Sequence, residues 1–427
     1  MTLPFKPLAV TELADILSAT IKEDTANKTI TFLCELSAFT ENSQFNISFN
    51  APSSTGKSFI PTEIAQLFPK DDVMEIAYCS PTAFFHDAGQ YDKAIGGYQV
   101  DLSRKILIFL DQPHMQLLER LRPLLSHDKK EIHSKITDKS EKHGMRTKNI
   151  IIKGFPAVIF CTAGLRVDEQ ETTRFLLLSP EMGQEKIKQA VEAKIRKEAD
   201  SQSYYEWLDA NPQRKLLKER IAAIKGEGIN EIKIKEPKVI QDAFFKQNHI
   251  LKPRHQRDIG RLIALVKSLA LLNLWWRDQH GTTITANEED VAAAFELWAK
   301  ISPSQDLNLP PVVYDLYKEV VLVGCQEKIT GLATNSEQPS MNRHEVLQKY
   351  YEIYGRPLDP IQLRQQFLPM LEMAGLIIQE PDPLDKRKML IFPVLPIKPG
   401  EENSESQGGV NYLAGQEGEI NVDDIPF

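Results

Sequence analysis

The segment Ala51–Ser58 reads A-P-S-S-T-G-K-S, and its residue types and spacing could hold a nucleotide phosphate. In a loop of the form small-x-x-x-x-Gly-Lys-Ser/Thr, backbone N–H groups surround the β-phosphate. Lys57 would then place a positive charge on the β/γ oxygens, and the Ser58 hydroxyl would bind Mg²⁺. The sequence therefore predicts an ATP site with Mg²⁺. The residues expected to bind ATP are Ser53, Ser54, Thr55, Gly56, Lys57 and Ser58.

The flanking segments have the periodicity that such a loop requires. Residues 46–50 alternate between apolar and polar side chains, as in a strand, and residues 59–68 have apolar side chains at helical spacing. A strand, a loop and a helix in this order bring the loop to a helix N-terminus. The sequence thus predicts an α/β fold at this point.

A second buried strand is predicted at Lys105–Leu110, followed by Asp111. Ligands bind at the carboxyl edge of parallel sheets, so Asp111 is interpreted as the acid that binds the metal. The next residue is Gln112, whose neutral amide can position a water molecule but cannot accept its proton. Three explanations stay open: hydrolysis is slow, another acid contributes, or positioning suffices because the transition state is loose.

A third strand is predicted at residues 157–162, and Thr162 at its end is a candidate sensor of the γ-phosphate. The alternative is a hydroxyl that merely ends a strand. Arg174, in the run Thr172-Thr173-Arg174-Phe175, is a candidate arginine finger that reaches the ATP of a neighbouring subunit. The alternative for Arg174 is an ordinary surface arginine ahead of a strand.

Residues 252–262 resemble the lid helix of minichromosome-maintenance (MCM) helicases, which belong to the AAA+ ATPases. In that family a sensor arginine is followed seven residues later by a second arginine, and Arg254 and Arg261 have this spacing. Ile284–Val291 resembles the family's threonine-led helix with its E-D-V segment, and Arg174-Phe175 resembles its S-R-F finger. The resemblance implies that Arg254 is a catalytic sensor and that the protein is a ring-forming ATPase.

The resemblance extends roughly over residues 45–300 and has departures. The family has glutamate where this chain has Gln112 and asparagine where it has Thr162. No N-terminal oligonucleotide-binding collar is recognisable. These differences indicate a compact relative, of the kind carried by plasmids and integrating elements.

Residues 120–153 form a basic segment with ten Lys or Arg and four Asp or Glu, an excess of six positive charges. Two β-like runs, Glu131–Thr137 and Thr147–Lys153, predict a hairpin. In the MCM-like branch the corresponding hairpin enters the ring channel, and its basic residues would contact DNA phosphates. The alternative is a solvated hairpin. The candidate DNA contacts are Lys139, Lys142, Arg146 and Lys148.

The C-terminal third has the element order of a winged helix. Helix-like segments at 312–325, 343–354 and 360–374 precede β-like runs at 376–379 and 388–394. A winged helix can bind duplex DNA through its recognition helix and wing, or it can dock a protein. Both alternatives stay open.

The last 28 residues contain seven acids and no Lys or Arg, which predicts disorder. The chain ends Asp423, Asp424, Ile425, Pro426, Phe427. This tip resembles that of bacterial single-stranded-DNA-binding proteins. The resemblance implies binding to host proteins that recognise such tails, with the Phe427 ring in an apolar pocket and its carboxylate on a basic residue. The alternative is a random acidic tail.

Composition sets the remaining limits. The chain has 427 residues, a net charge of −8 and four cysteines without metal-ligand spacing. Neither a secretory signal nor an apolar run long enough for a membrane span is present, so a cytoplasmic protein is expected. The predicted segments are a helical N-terminus (1–44), an AAA+ core with a parallel sheet (45–180), an insertion with the helical lid (181–305), an α+β winged helix (306–398) and a disordered acidic tail (399–427).

The resulting hypothesis is an ATP-dependent DNA helicase or translocase that acts as a ring, a hexamer by the family resemblance, in replication of a plasmid or integrating element. One alternative is a AAA+ helicase loader or origin remodeller. Another is an ATP-binding adaptor that is tethered to DNA and does not unwind it processively. The expected partners are DNA, further copies of the chain and host tail-binding proteins.

Overall fold

The computed structural model describes residues 5–80, 90–93, 97–138, 146–164, 174–331 and 339–394. The chain divides into two compact units. The first consists of Met1–Val239 and Arg254–Tyr314, and the second of Ile240–Pro253 and Asp315–Phe427. The five segments predicted from the sequence stay predictions, because these units do not test their boundaries.

The described strands are, in chain order, β1 (Ile47–Asn50), β2 (Val73–Ile76), β3 (Gln90–Asp92), β4 (Gly97–Asp101), β5 (Ile106–Phe109), β6 (Glu131–Asp138), β7 (Arg146–Lys153), β8 (Ala157–Thr162), β9 (Leu176–Leu178), β10 (Glu231–Ile234), β11 (Asp278–His280), β12 (Thr283–Ala286), β13 (Met341–Asn342), β14 (Ile377–Pro381) and β15 (Met389–Pro393).

The described α-helices are α1 (Val10–Leu17), α2 (Thr25–Ser37), α3 (Phe59–Ala65), α4 (Met115–Leu125), α5 (Gln184–Ala199), α6 (Ser201–Ala210), α7 (Pro212–Glu227), α8 (Pro237–Gln247), α9 (His255–Leu272), α10 (Glu288–Asp306), α11 (Pro311–Asp315), α12 (Leu322–Gly331), α13 (Arg343–Tyr354), α14 (Pro360–Gln362) and α15 (Leu368–Met373). Short 3₁₀ turns occupy Lys70–Asp72 and Leu274–Trp276, and π-helical turns occupy Leu316–Val321 and Leu363–Phe367.

The first unit is built on a five-stranded sheet in the order β2-β5-β8-β1-β9. Each neighbouring pair is parallel, so the carboxyl ends of all five strands lie at one edge. Every residue of β1, β5, β8 and β9 is buried. Burial on both faces explains why β5, β8 and β9 read as mainly apolar runs. Strand β1 is also fully buried, although its apolar and polar residues alternate. The strand expected at Ala157–Thr162 is confirmed with those bounds.

Strand β9 ends the sheet, and a side chain covers its free backbone. Nε2 of Gln305, on α10, donates to the Leu177 carbonyl at 2.6 Å, and the Leu177 N–H donates to Oε1 of Gln305 at 3.1 Å. Gln305 is fully buried. The amide thereby satisfies the backbone groups that an edge strand otherwise leaves open.

A second sheet, in the order β3-β4-β7-β6, joins two hairpins. The hairpin predicted from the basic segment is confirmed as β6 and β7, whereas sequence reasoning missed β3 and β4. Strands β4 and β7 are parallel, with Gly97 opposite Asn149, so both hairpins turn at the same end of this sheet. Strand β4 begins at Gly97, opposite Asn149, whereas β7 begins three residues earlier, at Arg146. The hairpin of β6 and β7 is therefore longer at this end by about 10 Å.

Tight links connect this sheet to the core sheet. Only residues 102–105 separate β4 from β5, and only residues 154–156 separate β7 from β8. Gly154 has φ +89° there, and a Cβ on it would lie 2.3 Å from the Ser103 backbone nitrogen. The Leu102 N–H donates to the Lys153 carbonyl at 2.8 Å. The two hairpins are therefore fixed directly to β5, which Asp111 follows, and to β8, which ends at Thr162.

The helices of the segment predicted to be a lid differ from the sequence prediction at one point. The helix that carries the E-D-V segment is α10, and it begins at Glu288. Its N-cap is Asn287, which exchanges hydrogen bonds with Asp290 as a capping box. The residue expected to lead this helix, Thr285, lies instead in β12, paired with Asp278 and Lys233.

In the second unit the helix expected at Arg343–Tyr354 is confirmed as α13. The last predicted helix consists of α14, a π-helical turn and α15, over Pro360–Met373. The antiparallel hairpin of β14 and β15 follows, and β13 pairs with β15. Within the part of the chain that the structure describes, no helix is both long enough and apolar enough to cross a bilayer.

Candidate nucleotide site

The phosphate-binding loop lies where the sequence predicted it, between β1 and α3. Ser54 has φ +64° and Gly56 has φ +90°. Nothing lies within 4 Å of a Cβ built on Gly56, so the backbone conformation rather than space requires glycine there. The side chains of Ser53 and Ser54 are exposed, whereas Thr55 donates to the Pro52 carbonyl at 2.9 Å. The loop thus leaves its outer surface open.

Lys57 and Asp111 lie close to one buried thiol. The Cys161 thiol donates to the Lys57 carbonyl at 3.3 Å. Burial raises the pKa of Cys161 to about 12, the nearby Lys57 charge acts to lower that pKa, and the Asp111 carboxylate acts to raise it further. Two residues predicted from separate sequence segments therefore share one neighbour at the carboxyl edge of the sheet.

The donor set fits Mg²⁺, which prefers oxygen ligands and takes only one or two from the protein beside the nucleotide phosphates. Asp111 is exposed at the end of β5. Ser58 is the N-cap of α3, and its side chain makes no capping hydrogen bond. Among the described residues no group of three or more His, Cys, Asp or Glu side chains could hold a metal by itself. Ser58 and Asp111 would thus hold Mg²⁺ only together with a triphosphate.

Gln112 and Thr162 are in direct contact. The Thr162 hydroxyl donates to Oε1 of Gln112 at 3.0 Å, and the Gly164 N–H donates to the Thr162 hydroxyl oxygen at 3.0 Å. The Gln112 N–H donates to Oδ1 of Asp111 at 2.8 Å. The ends of β5 and β8 are thereby linked through side chains that lie 50 residues apart in the sequence.

Sequence reasoning missed Asn50, the last residue of β1. It is fully buried, its Oδ1 accepts from the Ser48 hydroxyl at 2.8 Å, and its Nδ2 donates to the Gly164 carbonyl at 3.4 Å. The Ser179 hydroxyl donates to the Asn50 carbonyl at 2.6 Å. The available signal was a polar residue in a buried strand, directly before the phosphate-binding loop. Such a residue needs hydrogen-bond partners, which points to a role at this edge of the sheet.

Arg174 lies at the other edge of the sheet. It precedes β9, whose Leu176 N–H donates to the Asn46 carbonyl at the start of β1. The loop begins after the end of β1, four residue steps or about 13 Å along the strand. The Arg174 Nε donates to the Ser126 hydroxyl at 2.7 Å. Arg174 is therefore held away from the phosphate-binding loop of its own chain.

Arg254, the candidate sensor arginine, forms an ion pair with Asp258. Its Nε donates to Oδ2 of Asp258 at 2.7 Å, and Nη2 donates to Oδ1 at 3.2 Å. Arg261 contacts the same carboxylate at 2.8 Å, and burial lowers the pKa of Arg261 to about 10. The seven-residue spacing of the two arginines thus brings both onto one buried acid. A third Arg254 donor contacts Asn308 at 3.4 Å, so two of its five donors have no partner among the described residues.

The structure describes the predicted DNA contacts only in part. The backbone of Arg146 and Lys148 lies in β7, opposite Asp138 and Ile136 of β6. Lys139 and Lys142 lie outside the described residues, as does the predicted partner tip, Asp423–Phe427. At the base of the hairpin Lys130 pairs with Glu41 at 2.5 Å.

Ion pairs thus anchor the base of the hairpin. The Lys130 hydrogen bond is the main cause that holds the pKa of Glu41 below its usual value, against a smaller effect of burial. Lys153, at the end of β7, pairs with Asp101, at the end of β4, at 3.5 Å. Lys130 and Lys153 are therefore ion-paired, and Lys130 and Lys135 are both exposed.

Two solved structures resemble the chain at low similarity. A full-length MCM homolog from Methanopyrus kandleri is 13% identical, matches 68% of this chain and 60% of its own length, and has a TM-score of 0.37. A candidate ATPase from Cytophaga hutchinsonii is 14% identical, matches 66% of this chain and 83% of its own, and has a TM-score of 0.34. The match spans less than two thirds of the MCM homolog. No protein-family model and no curated protein matches the chain.

The parallel sheet, the loop between β1 and α3 and the acid after β5 together define an α/β P-loop core. Lys57, Asp111, Gln112 and Thr162 lie at its carboxyl edge. The assignment of this core to the MCM-like group stays a prediction.

Proposed function

We propose that the protein is an ATPase that acts on DNA as a ring of identical subunits, as a helicase or translocase. The observation that carries this proposal is the position of Arg174. A guanidinium beside Ser126, at the edge opposite the loop of its own chain, can serve a triphosphate only if a second subunit brings one to it. Closed rings satisfy every such head-to-tail contact.

Within one subunit, the roles follow from position. The loop N–H groups and Lys57 bind the phosphates of ATP, and Ser58 and Asp111 hold Mg²⁺, which neutralises charge on the phosphate oxygens. Gln112 orients the attacking water and Arg254 contacts the γ-phosphate through its remaining donors. The neighbour's copy of Arg174 stabilises the charge that develops on the transferred phosphoryl group.

The proposed DNA site is the paired-hairpin sheet, β3-β4-β7-β6. Both hairpins turn at one end of it, and Lys139 and Lys142 belong to the segment of sequence between β6 and β7. Their links to β5 and β8 give a short path between DNA and the residues Gln112 and Thr162. This path supports turnover that responds to DNA rather than turnover alone. Duplex DNA at the winged-helix segment 306–398 is part of the same proposal.

One observation favours a second candidate, a helicase loader or origin remodeller. Gln112 cannot accept a proton from water, which favours slow ATP turnover. Slow turnover is sufficient for a loader or remodeller, which does not unwind DNA processively. An ATP-binding adaptor without turnover is the third candidate. In all three, the proposed role lies in replication of a plasmid or integrating element, and the tip Asp423–Phe427 binds host proteins that recognise single-stranded-DNA-binding-protein tails.

Two assays separate the candidates: ATP turnover with and without single-stranded DNA, and displacement of one strand from a DNA duplex. Stimulated turnover with displacement is expected for the helicase, slow turnover without displacement for the loader, and ATP binding alone for the adaptor. Lys57→Ala should weaken ATP binding roughly ten- to hundredfold, as expected for one charge-assisted contact. Lys70→Ala, an exposed lysine of the same domain, is the matched control. Wild-type affinity in Lys57→Ala would refute the nucleotide site.

A further inference from the structure

We infer that Thr162 is a positioning residue that orients the amide of Gln112, and that it does not contact the nucleotide itself. This inference rests on the proposed ATPase function and assigns Thr162 a role other than γ-phosphate sensing. Its basis is the direction of the hydrogen bonds around the Thr162 hydroxyl.

A threonine hydroxyl has one proton and can accept through its lone pairs. The Gly164 N–H can only donate, so the Thr162 oxygen accepts that bond at 3.0 Å. The single proton of Thr162 is then directed to Oε1 of Gln112, also at 3.0 Å. A hydroxyl used in this way has no second proton to donate to a phosphate oxygen.

The same bond decides which end of the Gln112 amide faces Thr162. Its carbonyl oxygen accepts, so its NH₂ group points away from Thr162. Among the described residues, Nε2 of Gln112 has no hydrogen-bond partner, and the side chain is half-buried rather than enclosed. Thr162 is only 2% exposed. The group that the site presents is therefore the Gln112 NH₂ donor, with Thr162 behind it.

The surrounding backbone holds the Thr162–Gln112 pair in place. The Ala51 N–H, at the start of the phosphate-binding loop, donates to the Thr162 carbonyl at 3.2 Å. The side-chain amide of Asn50 donates to the Gly164 carbonyl. A Cβ on Gly164 would lie 3.3 Å from the Thr162 hydroxyl oxygen and 3.7 Å from Oε1 of Gln112. The loop after β8 thus fits closely around the pair, and both are positioned relative to the phosphate-binding loop.

This arrangement has a chemical consequence. An NH₂ donor can hold a water oxygen by one lone pair and leave the other lone pair for attack on phosphorus. As the water oxygen bonds to the γ-phosphorus, the bond between that phosphorus and the leaving ADP oxygen breaks, and the water proton passes to a phosphate oxygen, because the Gln112 amide cannot accept it. In a loose transition state the nucleophile needs little activation, so fixed orientation can suffice without a base. Loss of the Thr162 hydroxyl would free the Gln112 amide to rotate, and the water would lose its orientation.

The test is a double-mutant cycle on ATP turnover by the full-length protein. Thr162→Val keeps the shape of the side chain and removes its proton, and it should lower kcat about tenfold, the size expected for one misplaced hydrogen bond. Binding of a non-hydrolysable ATP analogue should be unchanged. Thr162→Ser restores the hydroxyl and should recover most of the turnover. In a Gln112→Ala background, Thr162→Val should lower turnover no further.

The outcomes separate two failures. Equal losses from Thr162→Val in both backgrounds, or weaker binding of the analogue, overturn the inference, because Thr162 would then act on the nucleotide directly. Wild-type protein that binds the analogue but never turns over ATP, with or without single-stranded DNA, also overturns it. Wild-type protein that binds no nucleotide overturns the proposed function itself. Thermal unfolding of each variant shows whether a loss of turnover comes from misfolding. If Thr162→Val is misfolded, failure of Thr162→Ser to retain most of the turnover overturns the inference.

Discussion

The Thr162 hydroxyl donates to Oε1 of Gln112 at 3.0 Å, across the ends of two adjacent parallel strands. A carboxylate in place of the Gln112 amide could accept the same bond and also accept a proton from water. Gln112→Glu should therefore preserve or raise ATP turnover. Steady-state turnover measures this, with Gln116→Glu as the matched control, since Gln116 is an exposed glutamine on α4. If Gln112→Glu abolishes turnover while ATP binding survives, a proton-accepting carboxylate cannot replace the NH₂ donor of Gln112, and the expectation of preserved turnover is wrong.

Arg174 should act across a subunit boundary. Arg174→Ala and Lys57→Ala should each be inactive alone. A mixture should regain part of the turnover, because the intact loop of one variant meets the intact Arg174 of the other. The control is a mixture of Arg174→Ala with the double variant Lys57→Ala/Arg174→Ala, in which no interface has both groups and no turnover should return. Absence of recovery in the first mixture, under conditions where rings form, would remove the support for a trans-acting arginine.

Lys139 and Lys142 should bind the DNA backbone. Replacing both with Ala should weaken single-stranded DNA binding equally across sequences. It should also flatten the salt dependence of binding, with a slope smaller by roughly 0.7 for each phosphate that is no longer neutralised. ATP binding should survive. Lys235→Ala/Lys238→Ala removes the same charge from two other exposed lysines and should leave the slope unchanged. An unchanged slope for both pairs would reduce the hairpin to a solvated loop.

The C-terminal tip should bind a host protein that recognises single-stranded-DNA-binding-protein tails. Deleting Phe427 removes the apolar ring and moves the carboxylate onto Pro426, so binding should fall about tenfold or more, equivalent to about 1.4 kcal/mol. ATP turnover should not change. A peptide of Gly418–Phe427 should compete with the host tail, and the same peptide without Phe427 is its control. Failure of the intact peptide to compete at millimolar concentration means that the tail is only a solubilising segment.

Glu35, on α2, should make stability depend on pH. It is fully buried, and neither carboxylate oxygen has a hydrogen-bond partner among the described residues. Burial first, and the Glu75 charge second, raise the pKa of Glu35 well above its usual value. The folded state thus favours the protonated acid. The free energy of unfolding is therefore unaffected by Glu35 below its unfolded pKa of about 4.3. It decreases as the pH rises from there towards the folded pKa of Glu35.

Glu35→Gln should remove this dependence. The variant should gain about 1 to 3 kcal/mol in unfolding free energy relative to wild type at pH 8, and much less at pH 4. Denaturant unfolding followed by tryptophan fluorescence measures both. Glu41→Gln is the control with the opposite sign, because the pKa of Glu41 is lowered, so its loss should cost stability only above the unfolded pKa. Parallel curves for wild type and Glu35→Gln would show that the acid does not titrate in the folded state.

The sequence by itself determined the phosphate-binding loop, the strand that precedes Asp111, the strand at Ala157–Thr162 and the basic hairpin. These features are local. An apolar run that must be buried on both faces, or a glycine-lysine-serine turn, is recognisable without knowledge of its neighbours in space. The same locality explains why the helix Arg343–Tyr354 was predicted with its observed bounds: its Asn342 cap and Gly355 stop lie at its own ends.

The tertiary structure decided what those segments meet. Only the register of β1 with β9 shows that Arg174 lies opposite its own loop, and only the pairing of β4 with β7 joins the two hairpins. The contact between Gln112 and Thr162 spans 50 residues, and its direction depends on the Gly164 N–H. Such relationships depend on strand order and on single hydrogen bonds between distant segments. Strand order and single hydrogen bonds leave no periodic pattern in the sequence. The residue types therefore indicated the chemistry of the site, but the sequence did not indicate how its residues are arranged in space.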